Sequence, residues 1–199
     1  MRMKNYTILA LLALLLLSSC QKEFNSVYKS TDYRYKYEYA KESYDRGKYQ
    51  RAVTLLQDLI VPMKGSQDAQ ECLYMLGMAE YHSQDYETAA ETFKKYVKSY
   101  PRGDFAEMAS FYTGQSLFMS TPEPRLDQTQ TVSAIEAFQE YLDLYPDARY
   151  KETAQQRLFD LQDKLVEKEY LSATLYYNLG SYFNNCSFGG NNYEACIVT

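Results

Sequence analysis

A pattern of small and large apolar residues recurs in register along almost the whole chain, and it restricts the fold more than any other feature. Gly77 is followed by Tyr86 at nine residues and Ala89 at twelve, and Phe93, Tyr96 and Pro101 come four, seven and twelve residues after that alanine. Upstream, Ala40, Tyr49, Ala52, Leu56 and Leu59 stand at the same offsets, with Gly47 just before Tyr49. Downstream, Ala134, Phe138, Tyr141 and Pro146 repeat the second half, and both prolines sit in Tyr-Pro pairs. A fourth copy opens at Leu179-Gly180 and resumes with Tyr193, Glu194, Ala195 and Cys196. Small residues at fixed points let two helices approach closely. Large apolar residues three and four apart form one buried stripe. Proline then ends the second helix by withholding a donor and clashing with the preceding turn.

This pattern resembles the tetratricopeptide repeat, a helix-turn-helix unit of about 34 residues. It implies an all-α fold, a right-handed superhelical solenoid of antiparallel helix pairs. About four copies are expected within residues 32–199, the last incomplete. Taken at the small residue of each second helix (Ala52, Ala89, Ala134, Cys196), the steps are 37, 45 and 62 residues. The second step makes room for a loop at Ser120 to Thr131, containing Pro122 and Pro124, between the two helices of the third repeat. The third makes room for a long charged amphipathic helix over Ala148 to Lys168. The Gly- and Asn-rich stretch Asn184 to Asn192 reads as an exposed turn. In this register Thr199 falls inside a second helix, so the sequence reads as C-terminally cut short.

The first residues are of another kind. Arg2 and Lys4 precede an uncharged apolar run from Ile8 to Leu17, about half the length a membrane-spanning helix needs. The run reads as the core of a signal peptide over residues 1–19. It ends Leu17-Ser18-Ser19-Cys20, which resembles the lipobox of bacterial lipoproteins. The resemblance implies cleavage before Cys20 and its modification with an S-diacylglycerol and an N-acyl (palmitate-type) chain. Each buried methylene contributes about 0.8 kcal/mol, so several chains hold durably where one does not. Residues 20–31 then read as a tether, and Gln21 to Thr31 fully extended would reach about 36–40 Å.

The net charge of −5 becomes −7 once Arg2 and Lys4 are removed, which disfavours nucleic acid as a partner. Cys72, Cys186 and Cys196 remain after Cys20, and they have no metal-ligand spacing with the single histidine, His82. A Cys186–Cys196 bridge and free thiols are both open. Tyrosine is the outlier, 22 of 199 residues, with no tryptophan.

Several further segments carry a closer resemblance. Lys29-Ser30-Thr31-Asp32-Tyr33-Arg34-Tyr35-Lys36-Tyr37-Glu38 follows the lipobox, and the third-repeat insertion contains Leu126-Asp127-Gln128-Thr129. Tyr145-Pro146-Asp147-Ala148-Arg149-Tyr150 leads into Arg157-Leu158, Leu161, Leu165, Glu169, Ala173 and Tyr176-Tyr177. In that order, after a lipobox, they resemble the BamD family, the tetratricopeptide lipoproteins of the outer-membrane β-barrel assembly machinery. The resemblance implies a scaffold anchored by lipid in the outer membrane and facing the periplasm. Its implied partners are unfolded β-barrel proteins and the POTRA-bearing barrel subunit of the machine. It also implies that docking to that subunit uses C-terminal repeats, while substrate strands enter a groove of the N-terminal ones.

Residue identity points to a peptide groove as well. With Gly77 as the eighth residue of its unit, the fifth and twelfth residues of each first helix are expected to face inward. These are Tyr37 and Tyr44, Tyr74 and Tyr81, Phe111 and Phe118, then Tyr177 and Asn184, and seven of the eight are aromatic. Such rings offer large rigid area at low entropy cost, and tyrosine adds a hydroxyl for peptide backbone. The same positions could instead serve packing between units. Arg34, Lys41 and His82 fall near that face and could meet a C-terminal carboxylate. No nucleophile-base constellation, phosphate loop or metal cluster is legible, so neither an enzyme nor a bound cofactor is expected. The competing assignment is a generic cell-envelope scaffold, coordinating cell-wall synthesis or a trans-envelope motor. Glycan capture is a third, disfavoured by the lack of tryptophan platforms.

Overall fold

The computed structural model describes residues 22–187, with side-chain environments through residue 180. Every regular element among them is helical. The order is α1 (Tyr33–Asp45), α2 (Tyr49–Leu59), α3 (Ala69–His82), α4 (Tyr86–Ser99), α5 (Ala106–Ser120), α6 (Thr129–Leu144) and α7 (Lys151–Ser187), with residues 22–28 forming a further helix before α1. This is the helical-repeat fold that the spacing predicts. The chain divides into two compact units, the first ending at Ala109 and the second beginning at Ser110. No helix among the described residues is long and apolar enough to cross a membrane.

In the first unit α1 packs on α2, α2 on α3 and α3 on α4. Each helix presents its repeat positions inward. Ala40, Ala52, Leu55, Leu56, Leu59, Cys72, Ala79, Ala89, Phe93 and Tyr96 have no exposed surface. Asp32 and Asp85 start α1 and α4 by accepting hydrogen bonds from the backbone N–H of Tyr35 (3.0 Å) and Thr88 (3.4 Å). The two inter-helix turns share one hydrogen-bond scheme. Gly47 N–H donates to Tyr44 and Lys48 N–H to Ser43, while Gln84 N–H donates to Tyr81 and Asp85 N–H to Glu80. Both turns need a left-handed residue at the same place. Gly47 supplies it at φ 71°, whereas Gln84 adopts φ 67° with a side chain.

Within the tether expected over 20–31, residues 22–28 are helical. Phe24, Val27 and Tyr28 recur at helical spacing, Val27 is 1% exposed, and Phe24 packs on the α1–α2 core. The Arg51 guanidinium lies 5.3 Å from the Phe24 ring, and Lys36 lies 5.6 Å from that of Tyr28. Lys36 is itself buried and ion-paired to Asp58. Burial of these apolar residues against α1 and α2 displaces the extended conformation.

The second unit holds most of α5, then α6 and α7. Its loop at residues 121–128 matches the expected insertion and is held from within. Buried Gln128 donates through Nε2 to the carbonyls of Glu123 (2.8 Å) and Leu126 (3.1 Å) and accepts from Thr131 Oγ1 (2.7 Å). Asp127 accepts from Thr129 N–H (3.0 Å), and hydrogen bonding from the Thr129 side chain, with this backbone bond second, holds its carboxyl below the usual range. From α7, Lys164 reaches Thr121 Oγ1 (2.6 Å) and Lys168 the Leu126 carbonyl (2.8 Å). The fourth repeat departs from expectation. The charged helix and the fourth repeat's first helix are one continuous element of 37 residues, with Ala154 and Leu161 buried. It runs through Asn184–Ser187, where composition predicted a turn, because no proline or left-handed residue interrupts it. The fourth repeat's second helix, Cys196 and the rest of that insertion lie outside the described residues.

Candidate functional site

The two inward ring positions serve different ends. The fifth-position rings are packing elements. Tyr74, 9% exposed, stacks on Phe105 at 4.6 Å and meets Phe93 (5.9 Å) and Tyr96 (6.1 Å) edge-on or tilted. Phe111, 4% exposed, repeats the arrangement with Tyr150 (4.4 Å, stacked), Phe138 (6.0 Å) and Tyr141 (5.5 Å). Gly77 and Gly114 make room for this layer. A Cβ on Gly77 would stand 2.7 Å from the Phe93 ring, and one on Gly114 2.8 Å from that of Phe138. Tyr37 is 2% exposed in the α1–α2 core, and burial and the neighbouring Glu71 carboxylate push its phenol above the ordinary range. Cys72 beside it is a buried free thiol, pushed up to about 12 chiefly by burial.

The twelfth-position rings of the first two repeats are half-buried at the turn end of their unit and belong to a connected aromatic surface. Tyr44 meets Tyr49 at 5.5 Å, Tyr49 stacks on His82 at 4.8 Å, and Tyr81 meets His82 at 5.7 Å and Tyr86 at 5.4 Å. His82 also lies 5.9 Å from Tyr44, and burial lowers the affinity of its ring for a proton. At neutral pH the His82 ring is therefore neutral, and the ring cluster itself carries no charge. Beside it an open cavity of about 350 Å³ is lined by Gly47, Lys48, Tyr49, Gln50, Arg51 and Ser83. The arrangement suits apolar or aromatic side chains, with hydroxyls at the rim for peptide groups.

The other expected residues lie elsewhere. Phe118 is partly buried under the Arg157 guanidinium, 4.5 Å from its ring. Tyr177 is 78% exposed on α7. Cys20 lies outside the described residues. Of the cations, Lys41 is bound to Glu71 at 2.9 Å and Arg34 is exposed. Tyr49 and Tyr86 escaped the positional argument because they open second helices. Their signal was present, since both fall at the same offset of their repeats. Among the described residues no cluster of histidine, cysteine and acid could hold a metal ion.

These are the marks of a tetratricopeptide-like helical-repeat protein with an aromatic turn surface, and comparison with known proteins narrows the class. Residues 30–187, from just before α1 to the end of α7, match the family model YfiO, described as an outer membrane lipoprotein. The chain belongs to this family of outer-membrane lipoproteins. It is also similar to the outer membrane protein assembly factor BamD of Caulobacter vibrioides, with 24% identity over 166 residues. That match covers 82% of this chain and 54% of the relative, so the chain spans about half of that protein's length.

Proposed function

We propose that this chain is an outer-membrane protein assembly factor, a lipid-anchored scaffold facing the periplasm that binds unfolded β-barrel chains and the POTRA-bearing barrel subunit. The observation that carries this reading is the family match across residues 30–187, joined by the likeness to an assembly factor over 82% of the chain. Cys20 is the acylated residue in this reading, and the lipobox supports it. Substrate binding falls to the members of the ring set that are not fully buried. Tyr44 and Tyr81, with His82 between them, offer a rigid aromatic ledge to an extended peptide, whereas Tyr37, Tyr74 and Phe111 hold the repeats together. Tyr177 offers exposed aromatic surface of its own, and Phe118 less.

The test is photocrosslinking of a barrel-protein C-terminal peptide to the intact chain in membranes, with probes at Tyr44, Tyr81 and, as a buried comparison, Tyr74. Crosslinks at Tyr44 and Tyr81 that fall in the Tyr44→Ala, Tyr81→Ala double variant support the ledge. Undiminished crosslinking in that variant overturns it. Affinity purification in mild detergent tests the larger role. Co-recovery of the POTRA-bearing subunit supports an assembly factor, and its absence favours a generic envelope scaffold.

A further inference from the structure

The way the chain enters its first unit bears on which end of that unit an acyl anchor on Cys20 would reach. The helix at 22–28 runs antiparallel to α1. Tyr28 lies by Lys36 in the first turn of α1, and Phe24 lies under Arg51 in the first turn of α2. Lys36 also pairs with Asp58, so Tyr28 stands near the Asp58 level, and Phe24, about 6 Å further along its helix, lies between that level and Arg51, on the side of the turn. Lys22 is a further half-turn in the same direction. Two Cα–Cα steps, at most about 7 Å, then separate Lys22 from Cys20. Covalent reach thus ties an acyl anchor on Cys20 to the neighbourhood of Lys22, the end of this helix that points toward the α1–α2 turn. Tyr33, Tyr35 and Val61, at the far end of α1 and α2, stand roughly 15–20 Å away along the helix axes.

We propose that this turn end lies against the phospholipid surface, with Tyr49 and Tyr86 at headgroup level, Tyr44 and Tyr81 at its edge, and the cavity over Lys48 open to lipid phosphates. Tyrosine suits that zone because its ring is apolar and its hydroxyl takes water or phosphate. Lys48 and Gln50 offer donors at the cavity, and Asp45 and Asp85 on the same end keep the net attraction to anionic lipid small. The rings and the short anchor, rather than charge, set the orientation. This inference rests on acylation of Cys20 and adds a location to the peptide ledge, which then borders the membrane.

The absence of tryptophan makes the test free of background. Single-tryptophan variants Gln50→Trp and Tyr86→Trp report the turn end, and Tyr35→Trp and Val61→Trp the opposite end. Each lipidated full chain is purified from membranes and reconstituted into phosphatidylethanolamine–phosphatidylglycerol vesicles, with or without brominated acyl chains. The expected result is loss of roughly half the emission from the turn-end reporters on brominated vesicles and little from the others, as for groups seated 5–10 Å deep. Equal quenching at both ends, quenching at the opposite end, or none overturns the proposed orientation while vesicle flotation leaves the anchor standing. A chain that does not float with vesicles overturns the anchor and the orientation together.

Discussion

The second and third repeats carry the same four-ring layer, yet their turns have nothing in common. Tyr74, Phe93, Tyr96 and Phe105 in the first unit correspond ring for ring to Phe111, Phe138, Tyr141 and Tyr150 in the second. A glycine faces the phenylalanine in each. At the turns, three residues and an aromatic surface join α3 to α4, whereas a loop of eight residues held by Gln128 joins α5 to α6. The packing layer is copied because one ring of the first helix, Tyr74 or Phe111, meets all three of the others. The turns differ because nothing in the layer depends on them, which frees that end for binding.

The comparison can be broken most directly in the layer. Phe93→Ala and Phe138→Ala each empty a fully buried site opposite a glycine and should cost about 3–5 kcal/mol in chemical denaturation. A cost below that of an exposed substitution would show the two layers are not equivalent cores. Adding volume is the milder version. Gly77→Ala and Gly114→Ala push a Cβ into a confined ring and should each cost about 1–3 kcal/mol. Gln128→Leu, which leaves the Glu123 and Leu126 carbonyls without that donor, should cost about 1–3 kcal/mol and speed proteolysis of the 121–128 loop. The turn residue Gln84 should respond the other way. Gln84→Gly relieves a left-handed side chain and should stabilise by about 1 kcal/mol, as the matching Gly47 implies.

The smallest effect concerns pH. Glu80 is 1% exposed, and burial raises its carboxyl above the ordinary 4.5 despite hydrogen bonds from Thr92 and Gln57. The folded state thus holds this proton more tightly than the unfolded one. Its contribution is favourable below the ordinary carboxyl value and fades as pH rises through the raised one. Glu80→Gln should flatten that decline in a pH series of unfolding free energies, and an unchanged slope would assign the decline to other groups.

Much of this was legible in the sequence. Ala52, Ala89 and Ala134, the Tyr-Pro ends of α4 and α6 and the loop after α5 follow from spacing and from proline chemistry. The helix at 22–28 was legible in principle from Phe24, Val27 and Tyr28, but a tether was expected where a lipidated cysteine stood so near. The stacking role of Phe105 and Tyr150 was not legible, because both precede their helices and helical periodicity says nothing about loop residues. The split between buried Tyr74 and half-exposed Tyr81 was likewise hidden. Seven residues apart they share a helix face, and only the neighbouring helices decide which end of that face is covered. Glu80 gave no warning, since an acid on a helix is ordinarily solvated.

The stacked pairs Tyr74–Phe105 and Phe111–Tyr150 each join a first helix to the lead-in of the next one. The piece of chain that folds together is thus offset from the piece that repeats in sequence. The first compact unit accordingly ends at Ala109, past the repeat border and inside α5. A cut at the border, after Pro101, would strip Tyr74 of its stacking partner and leave a sticky aromatic face, whereas a cut a helical turn beyond Phe105 would keep it. Gene fusions or repeat shuffling in such a protein would succeed at seams drawn by the rings and fail at those drawn by the alignment.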